Sequence, residues 1–392
     1  MIILGIETSC DETAISIINS EKNGEKTLIK VLGNQLFSQI AIHAQYGGVF
    51  PMMAKRSHAE NMIPLFLECL KEAKLFYEEE KELSEEKKST IKTILEREFE
   101  LAEKLLDLAK DISTPKIDAI AVTQGPGLEP ALWVGLNFAK AISYLWNIPL
   151  IPTNHMEGHI FAGLMKKVNN DYEIITPEMP TIALLISGGH TQLVLSKSLQ
   201  EYEVIGETRD DAVGEAFDKV ARIIGLPYPG GPQISKLADK ERTESGLNAE
   251  KKWNLPRPMI HSKDLDFSFS GLKTSVLYTV KKIPELTEKI KQEIAREFED
   301  AVVEVLSSKT RSAVEQFGAK TLVLGGGVSA NKEIRTKLAK LAEEINVTFF
   351  VPEISASTDN SLMIAVAGLF NYSNQKPYFG EILKADGNLK LN

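Results

Sequence analysis

Two histidines stand four positions apart in the segment NHMEGHIFA, residues 154–162. If this segment is helical, His155 and His159 lie on one face of the helix, so both imidazoles could bind one metal ion. Glu157 comes two residues after the first histidine, about 200° around the helix from it. It therefore points away from the pair and does not match the glutamate of the zinc-hydrolase pattern H-E-x-x-H. On spacing alone, a metal site and a polar or interior histidine pair both remain open.

Two strand–turn–strand patterns place further polar residues. Residues 2–18, IILGIETSCDETAISII, and residues 181–196, TIALLISGGHTQLVLS, each read as an apolar strand, a turn of small polar residues and a second apolar strand. Because one pattern opens each half of the chain, we expect a duplicated α/β architecture with a cleft between the halves. Backbone N–H groups and hydroxyls at these turns could bind a phosphate or a carboxylate. The alternative is a pair of ordinary β-hairpins.

Three further segments predict turns that approach a ligand or a neighbouring element closely. Residues 319–344 combine a buried strand, a glycine turn and the start of a helix. This arrangement can hold a nucleotide, although it lacks the spacings of a P-loop or a dinucleotide fold. Residues 225–238 form a proline–glycine loop that enters a helix. Residues 355–368, SASTDNSLMIAVAG, combine a polar turn containing Asp359 with a helix of small residues that must pack tightly.

The segment 71–114 is dense in glutamate and lysine. Its apolar residues fall on one helical stripe, formed by Ile91, Ile94, Leu95, Phe99, Ala102, Leu106 and Ala109. We expect two charged amphipathic helices that form a hairpin projecting from the first half. The alternative is that the stripe merely covers the first half.

The composition is that of an ordinary globular protein. With 392 residues, 43% hydrophobic and 25% charged, the chain has room for about two domains. No apolar run approaches the ~18 residues of a membrane span, and the start MIILGIETSC reads as a buried strand rather than a signal peptide. Only two cysteines, Cys10 and Cys69, are present, so we expect no disulfide framework and a cytoplasmic location. The net charge of −9 argues against a generally nucleic-acid-binding surface but not against a local basic patch.

Taken in chain order, eight motifs resemble those of one family. They are GIETSCDETA, GPGLEPALWVG, NHMEGHI, SGGHTQLV, DDAVGEAFDKVARIIGLPYPGGP, FSFSGLKT, GGGVSANKEIR and STDNSLMIA. Together they resemble the motifs of the tRNA N6-adenosine threonylcarbamoyltransferases, which belong to the actin/hexokinase-like ATPase superfamily. Two features depart from the family pattern. Segment 71–114 is longer than usual, which bears on partner contacts, and Glu129 stands where a small or apolar residue is expected, at the rim of the cleft.

The resemblance implies a fold and a reaction. The fold is an α/β, duplicated actin/hexokinase-like ATPase fold with two lobes and a central cleft, with residues 1–178 in the first lobe and 179–392 in the second. The reaction transfers a threonylcarbamoyl group from threonylcarbamoyl-AMP to N6 of the adenosine that follows the anticodon, in tRNAs that read codons beginning with adenine. Because AMP is already a good leaving group, we expect no nucleophilic serine, cysteine or lysine.

The resemblance also adds a third ligand to the histidine pair. His155, His159 and Asp359 would hold one divalent metal ion that has open positions for substrate oxygens. Two imidazoles and one carboxylate suit iron or zinc. We expect Fe²⁺, with Zn²⁺ as the alternative.

Substrate-binding residues follow from the resemblance as well. Backbone N–H groups would line the acyl-phosphate side at Leu185, Ile186, Ser187, Gly188 and Gly189. Asp218 and Gly231 would hold the ribose and the adenine, and Asn331 would complete the nucleotide pocket.

Asp11 and Glu12, on the first turn, are the candidate catalytic residues. Facing the cleft, a carboxylate there could accept the proton of the attacking amine or bind a second cation.

The expected partners are tRNA, the enzyme that makes threonylcarbamoyl-AMP, an inactive paralogue and a small ATPase, with no membrane involved. Candidate tRNA contacts are scattered over Lys55, Arg56, Lys166, Lys167, Lys281 and Lys282. So few cations neutralise too few phosphates for tight binding. We therefore expect weak tRNA binding by the isolated chain, and productive binding with a partner on the first lobe near residues 71–114.

Other functional classes remain to be weighed. A metalloendopeptidase is disfavoured because Glu157 is misplaced for a base that activates water. A metal-dependent ATPase or small-molecule kinase of the same superfamily is the main alternative, since fold does not dictate function. A pure scaffold is disfavoured by the density of polar motifs.

Overall fold

The computed structural model describes residues 1–24, 26–246, 252–372 and 383–391 of the chain. These residues form two compact units, the first comprising Met1–Thr176 with Asp359–Leu391 and the second comprising Pro177–Thr358. Each unit has its own sheet and its own apolar core. Within the described residues, no helix combines the length and the apolar character that crossing a membrane requires.

In the described part of the first unit, seven strands form one sheet. They are β1 (Ile2–Glu7), β2 (Glu12–Asn23), β3 (Lys26–Ser38), β4 (Ala119–Gly125), β5 (Leu150–Asn154), β6 (Met165–Val168) and β7 (Asp171–Ile175). Across the sheet the order is β5-β4-β1-β2-β3-β7-β6, with β1 parallel to β4 and antiparallel to β2. β1 is buried over most of its length, because it lies in the interior of the sheet with helices against it.

Helices cover this sheet. Before the chain enters the second unit they are α1 (Ile40–Ala44), α2 (Pro51–Glu72), α3 (Glu85–Ile94), α4 (Phe99–Asp111), α5 (Glu129–Trp146) and α6 (His155–Leu164). α5 begins at Glu129, the acid that departs from the family pattern, and its carboxylate accepts a hydrogen bond from Trp133 Nε1 at 3.3 Å. An acidic side chain in the first turn is favourable because it faces the positive end of the helix dipole.

Segment 71–114 packs on the first unit instead of projecting from it. Its two predicted helices are present as α3 and α4, with α3 against α5 and α4 against α2. Ile91 and Leu95 are fully buried in the same apolar core as Phe66 of α2. Phe99 departs from the predicted stripe, since it is 64% exposed. The stripe therefore covers the unit's core, which was the alternative that the pattern left open.

In the described part of the second unit, five strands form one sheet. They are β8 (Thr181–Ile186), β9 (Thr191–Ser198), β10 (Glu201–Glu207), β11 (Thr321–Gly325) and β12 (Thr348–Phe350). Their order is β10-β9-β8-β11-β12. The helices are α7 (Val213–Ile223), α8 (Gly230–Ser245), α9 (Ser270–Lys281), α10 (Glu288–Phe317) and α11 (Lys332–Glu344), with short 3-10 helices at Gly327–Ala330 and Ile354–Ala356.

The two sheets share one strand pattern. In each sheet, five neighbouring strands make two parallel pairings followed by two antiparallel ones. These strands are β5-β4-β1-β2-β3 in the first unit and β12-β11-β8-β9-β10 in the second. The strand–turn–strand segments 2–18 and 181–196 occupy the same place in this pattern. The units therefore repeat in topology as well as in sequence pattern.

The chain returns to the first unit at Asp359 and forms α12 (Ser361–Tyr372). α12 packs directly on the sheet, and a Cβ added to Gly5 of β1 would lie 2.4 Å from the carbonyl oxygen of Ser361. Its small, apolar residues find their partner surface on β1, β2 and β4. For this reason the last part of the predicted second lobe, residues 179–392, belongs to the first unit instead.

Residues 383–391 also belong to the first unit and lie at the carboxyl ends of β4 and β5. The side chain of Gln124 in β4 donates to the carbonyl of Lys384 at 3.0 Å. The side chain of Asn154, the last residue of β5, donates to the carbonyl of Lys390 at 3.1 Å. These bonds hold the segment beside the start of α6.

Candidate functional site

The candidate metal-binding histidines lie on α6, directly after β5. Asn154 caps this helix, since its side-chain oxygen accepts hydrogen bonds from the N–H groups of Met156 and Glu157 at 2.9 and 3.4 Å. All residues of α6 are buried. The ring centroids of His155 and His159 lie 4.7 Å apart, with the rings inclined at 82°. The four-residue spacing thus places both imidazoles side by side.

Asp359 meets this pair from the turn that precedes α12. Its Oδ1 lies 3.2 Å from Nε2 of His159 and 3.5 Å from Nε2 of His155. One ligand atom from each of the three residues lies within 4.8 Å of the others. Two imidazole nitrogens and one carboxylate oxygen that converge in this way could hold one metal ion.

Glu7, which the sequence analysis did not single out, orients His155. Its Oε2 lies 3.0 Å from Nδ1 of His155 and accepts a hydrogen bond from Thr123 Oγ1 at 2.7 Å. Its Oε1 accepts a hydrogen bond from the N–H of Ser9. A carboxylate on Nδ1 leaves Nε2 for a metal ion and makes it more basic. The available signal was an acidic residue that ends an otherwise apolar strand.

The chemistry of the cluster fits a metal ion. Both ring nitrogens of His159 are buried: Nε2 lies 3.2 Å from the Asp359 carboxylate, whereas Nδ1 has no hydrogen-bond partner among the described residues, and burial lowers the pKa of this ring. Burial opposes charge on His155, yet Asp359 and Glu7 raise its pKa well above the ordinary value. Burial opposes charge on Asp359 too, but the two histidines hold its pKa well below the usual range. A metal ion binds the neutral form of an imidazole, so the lowered pKa of His159 leaves its Nε2 able to bind a metal ion beside the Asp359 carboxylate.

Glu157 lies on the same helix and points elsewhere. Its Oε2 accepts a hydrogen bond from Asn371 Nδ2 of α12 at 2.7 Å. It is not one of the clustered ligand residues. A metallopeptidase of the H-E-x-x-H type needs its glutamate beside the metal, so this arrangement disfavours that activity.

Asp11 and Glu12 lie at the end of the first turn, and both are buried. Ser38 Oγ donates to Glu12 Oε1 at 3.3 Å. Burial raises the pKa of Glu12 to about 10, and the carboxylates of Asp359 and Asp11 act in the same direction. Burial and the same acidic neighbours raise the pKa of the Cys10 thiol well above its usual value. Glu12 therefore keeps its proton near neutral pH.

A buried polar network holds this turn in place. His58 Nε2 lies 3.0 Å from the carbonyl oxygen of Cys10, and its Nδ1 lies 2.7 Å from Thr13 Oγ1. The N–H of Gln39 donates to the carbonyl of Asp11 at 2.9 Å. Burial lowers the pKa of His58 to about 4. The neutral ring can therefore donate to the Cys10 carbonyl from Nε2 and accept from Thr13 at Nδ1.

The second turn, after β8, has a different construction. Gly188 and Gly189 are exposed at its tip, and the N–H of Ser187 is already bonded within the turn. Leu185 and Ile186 are buried in β8 and pair with β9. Of the residues predicted to offer backbone N–H groups, the two glycines are thus the ones on the surface.

Two further glycines let neighbouring elements approach this turn. Gly326 has a φ of +87°, and a Cβ added there would lie 2.3 Å from the carbonyl oxygen of Ile186. A Cβ added to Gly214, in the first turn of α7, would lie 2.6 Å from the carbonyl oxygen of Ser187. The start of α7 is therefore held against the turn. Because the N-terminus of a helix favours anions, this position suits an anionic ligand at the turn.

Asp218 and Gly231 lie on neighbouring helices, α7 and α8. Asp218 Oδ1 accepts a hydrogen bond from the N–H of Gly230 at 2.6 Å, and burial raises the pKa of this carboxyl. Gly231 has space around it, since an added Cβ would meet nothing closer than Phe217 Cβ at 4.0 Å. Asp218 thus also positions the start of α8.

Asn331 caps α11 and ties it to α8 and α10. Its Oδ1 accepts from the N–H of Ile334 at 2.9 Å, and its Nδ2 donates to Ser235 Oγ and Glu299 Oε1, both at 2.7 Å. Glu299 is buried and forms an ion pair with Arg242. The amide of Asn331 therefore makes internal bonds at both its oxygen and its nitrogen, a positioning role that the sequence analysis missed.

The fold and the site define a mixed α/β protein with two sheets and a candidate His–His–Asp metal centre in the first unit. A family model described as tRNA N6-adenosine threonylcarbamoyltransferase matches residues 30–80 and 91–366. The chain belongs to this family of transferases, which confirms the resemblance carried by its motifs. Residues 81–90, between the two matched ranges, lie inside segment 71–114.

Curated relatives agree with the family. A tRNA N6-adenosine threonylcarbamoyltransferase of Chromobacterium violaceum is 42% identical, covering 98% of this chain and 97% of that protein. Proteins of the same name from Polynucleobacter necessarius and Nitrosospira multiformis are 44% and 41% identical, covering 91% and 90% of their own lengths.

Solved structures of HypF are similar in fold. Full-length HypF in a phosphate- and nucleotide-bound form is 12% identical, with a TM-score of 0.52 over 97% of this chain. The HypF of T. kodakarensis is 14% identical, with a TM-score of 0.50 over 94% of this chain. The chain spans about half of each of those structures, 47% in both cases. At this identity the likeness concerns the fold alone.

Proposed function

We propose that this chain transfers the threonylcarbamoyl group of threonylcarbamoyl-AMP to N6 of the adenosine that follows the anticodon, in tRNAs that read codons beginning with adenine. The observation that carries the proposal is the convergence of the buried His155 and His159 with Asp359, in a chain whose family match extends over both units. A sugar kinase or plain ATPase of similar fold has no need of a transition metal held by protein side chains. Nothing observed favours that alternative.

The proposed architecture is a duplicated actin/hexokinase-like ATPase fold. The strand order and strand directions that recur in the two sheets support it. The similarity in fold to HypF, which was solved with phosphate and nucleotide bound, is consistent with nucleotide binding by such a fold.

The proposed metal ion is Fe²⁺, with Zn²⁺ as the alternative, because two imidazoles and one carboxylate suit both. When bound, it would supply a Lewis acid for substrate oxygens. The protein's own contribution is to hold the ligands: Glu7 orients His155 through Nδ1, and the cap at Asn154 fixes the start of α6. The burial of the histidines excludes competing water from their ring nitrogens.

On the first turn, Asp11 and Glu12 have different proposed roles. With a pKa of about 10, Glu12 is protonated at neutral pH and can donate a hydrogen bond to a substrate oxygen. Asp11, the neighbouring carboxyl group, is proposed to accept the proton that N6 loses as it attacks the carbamoyl carbon.

In the second unit, the proposed AMP-binding surface is the glycine turn with its neighbours. The exposed Gly188 and Gly189 offer backbone to phosphate oxygens, with Ser187 beside them. Asp218 and Gly231 would contact the ribose and adenine. Leu185 and Ile186 support the turn from within β8, and Asn331 positions the start of α11.

The partners stay part of the proposal. They are tRNA, the enzyme that makes threonylcarbamoyl-AMP, an inactive paralogue and a small ATPase, acting in the cytoplasm. The free thiols of Cys10 and Cys69 are consistent with a reducing compartment.

The direct test is a nucleoside digest of tRNA after incubation with the metal-loaded chain, threonylcarbamoyl-AMP and candidate partners. We expect N6-threonylcarbamoyladenosine in substrate tRNAs and none when the adenosine after the anticodon is replaced by guanosine. Hydrolysis of ATP or phosphorylation of small molecules, with no modified nucleoside under any partner combination, would favour the kinase or ATPase alternative.

A further inference from the structure

A group of apolar side chains is exposed on the first unit directly beside the first turn. In the stretch from the end of β3 to the start of α2, Tyr46, Phe50 and Met52 are 52%, 50% and 68% exposed, and Ile40 is exposed as well. The rings of Tyr46 and Phe50 lie 5.1 Å apart. We call the exposed face of Ile40, Tyr46, Phe50 and Met52 the aromatic surface.

The stretch of sequence that carries the aromatic surface has no acidic residue, although three of its cations, Lys26, Lys30 and Lys55, pair with acids from other parts of the chain. Residues 26–59 contain four lysine or arginine residues and no aspartate or glutamate. At the average of 54 acidic residues in 392, a stretch of this length would carry about five. In α2, immediately after the surface, the Arg56 side chain is 83% exposed, and among the described residues its ion pair is with Glu60 of its own helix. Such exposed pairs are weak, so the guanidinium can exchange Glu60 for a phosphate.

Hydrogen bonds connect the aromatic surface to the candidate catalytic turn. The N–H of Gln39 donates to the carbonyl of Asp11, and Gln39 Oε1 lies 3.2 Å from His43 Nε2. The N–H of Phe50 then donates to Nδ1 of His43 at 3.4 Å. His43 and Gln39 are fully buried, so the surface has a fixed position relative to Asp11.

We propose that the aromatic surface binds unpaired bases of the tRNA anticodon loop next to the target adenosine, with Arg56 contacting the backbone. The proposal rests on the proposed function, which requires an unpaired loop to reach the first turn. Single-stranded RNA is recognised by stacking of its splayed bases on aromatic rings, beside cations that contact phosphates. A stretch that lacks acids and exposes two rings and a guanidinium has this chemistry. It also accounts for exposed apolar side chains beside the catalytic residues.

The test compares Tyr46→Ala/Phe50→Ala with the parent in the reconstituted, metal-loaded modification reaction. We expect the KM for tRNA to rise at least about tenfold, the usual scale of losing base–aromatic stacking. The kcat at saturating tRNA, the KM for threonylcarbamoyl-AMP and the metal content should not change. The conservative variant Tyr46→Phe/Phe50→Tyr should stay within about twofold of the parent. Tyr144→Ala, which removes an exposed ring of α5, is the control and should have no effect.

A binding measurement separates RNA stacking from other roles. Fluorescence anisotropy with an anticodon stem–loop RNA should show the same loss for the double alanine variant, whereas a fully paired RNA of equal length should bind parent and variant alike. An unchanged KM and unchanged stem–loop affinity would overturn the proposal. Loss of association with a partner protein, with stem–loop affinity intact, would overturn it in favour of a protein interface. If the parent modified no tRNA, the proposed function would fail, and the anisotropy comparison would still decide the RNA surface.

Discussion

The hairpins β1–β2 and β8–β9 occupy equivalent places in their sheets, but their turns differ in chemistry. Between β1 and β2, the turn residues Thr8, Ser9, Cys10 and Asp11 carry oxygen and sulfur side chains, and most of them are buried. Between β8 and β9, the turn exposes the backbone of two glycines. One turn presents side chains toward a candidate cation site, and the other presents main chain that suits an anion.

The same strand pattern can therefore carry a turn built from buried side chains and a turn built from exposed backbone. The side chains of the first turn are mostly buried, and Glu7 and His58 hold its backbone through the Ser9 N–H and the Cys10 carbonyl. Where the backbone acts, side chains must be absent, and close neighbours must be glycines such as Gly214 and Gly326. The difference predicts that the first turn is sensitive to the loss of side chains and the second to their addition.

The largest expected effect comes from removing one ligand of the candidate metal site in the first unit. His159→Ala should abolish stoichiometric metal binding and nearly all transfer activity, because two ligands cannot hold a divalent ion at the strength of three. Elemental analysis of the purified variant measures this directly, and a retained melting transition would show that the fold persists. Equal metal content in variant and parent would remove the basis for assigning this cluster.

Glu157→Gln is the matched control on the same helix. Its amide can still bond to Asn371, and its carboxylate is not a clustered ligand. We expect metal content and transfer within about threefold of the parent. Loss of metal in this variant would mean that Glu157 reaches the ion after all.

The second prediction concerns the loss of folding stability at acidic pH. His58 has a folded pKa of about 4 against an ordinary value near 6.5, so between these pH values the unfolded chain binds more protons than the folded one. The stabilising effect of keeping His58 neutral is present above pH ~6.5 and is lost as pH falls toward 4, by on the order of 3 kcal/mol.

Urea unfolding at several pH values between 7 and 4 measures this dependence. His58→Gln should be less stable than the parent at pH 7 and should lose less stability on acidification. His261→Gln, at an exposed histidine of the second unit, is the matched control substitution. Identical slopes for the parent and His58→Gln would contradict the prediction.

The third prediction tests the bracing of His155. Glu7→Gln should weaken metal binding by about 10- to 100-fold, the usual effect of removing the carboxylate that orients a histidine ligand. The amide has one oxygen where the carboxylate has two, so it can accept either the Ser9 N–H or the bonds from Thr123 and His155, and the variant removes both the charge and one acceptor position. Competition with a chelator of known affinity gives the shift, and an unchanged affinity would show that His155 needs no carboxylate.

The smallest expected effects distinguish two glycines near the second turn. Gly214→Ala should destabilise the second unit by about 1–3 kcal/mol, because its Cβ would lie 2.6 Å from the Ser187 carbonyl oxygen. Gly189→Ala should change stability by less than about 0.5 kcal/mol, because the space there is open. Denaturant unfolding of both variants measures the change in the free energy of unfolding relative to the parent. Equal changes for Gly214→Ala and Gly189→Ala would contradict the steric argument.

Much of the local structure could be predicted from the sequence, since the elements involved are coded by short patterns. Both hairpins, the helix after β5 and the small-residue helix after Asp359 lie where periodicity and turn residues indicate. The family motifs named the three residues that the structure brings together around one point. Helical spacing explains why His155 and His159 are neighbours, but nothing local places Asp359 beside them.

The rest depends on contacts between distant segments. The apolar stripe of α3 and α4 indicates which face of each helix is buried, but it does not indicate which elements that face packs against. In the structure α3 packs against α5, and α4 packs against α2. Removing residues 78–110 would therefore uncover core residues such as Phe66 instead of trimming a projection. The bond from Asn331 to Glu299 joins residues on separate helices, so a pattern read along the chain cannot reveal it.

The discontinuity of the first unit has a consequence for the biogenesis of the protein. Asp359 and α12 are translated after about 180 residues of the second unit. At the usual elongation rate, roughly 10–40 s pass between the emergence of the second unit's first residue and that of Asp359. During this interval β1 lacks its covering helix and the histidine pair lacks its carboxylate, so nascent chains must either delay metal uptake or bind the ion weakly at first. Ribosome-bound chains that end before Asp359, and chains with a C-terminal spacer long enough to bring α12 out of the exit tunnel, are thus expected to differ in protease resistance of the first unit.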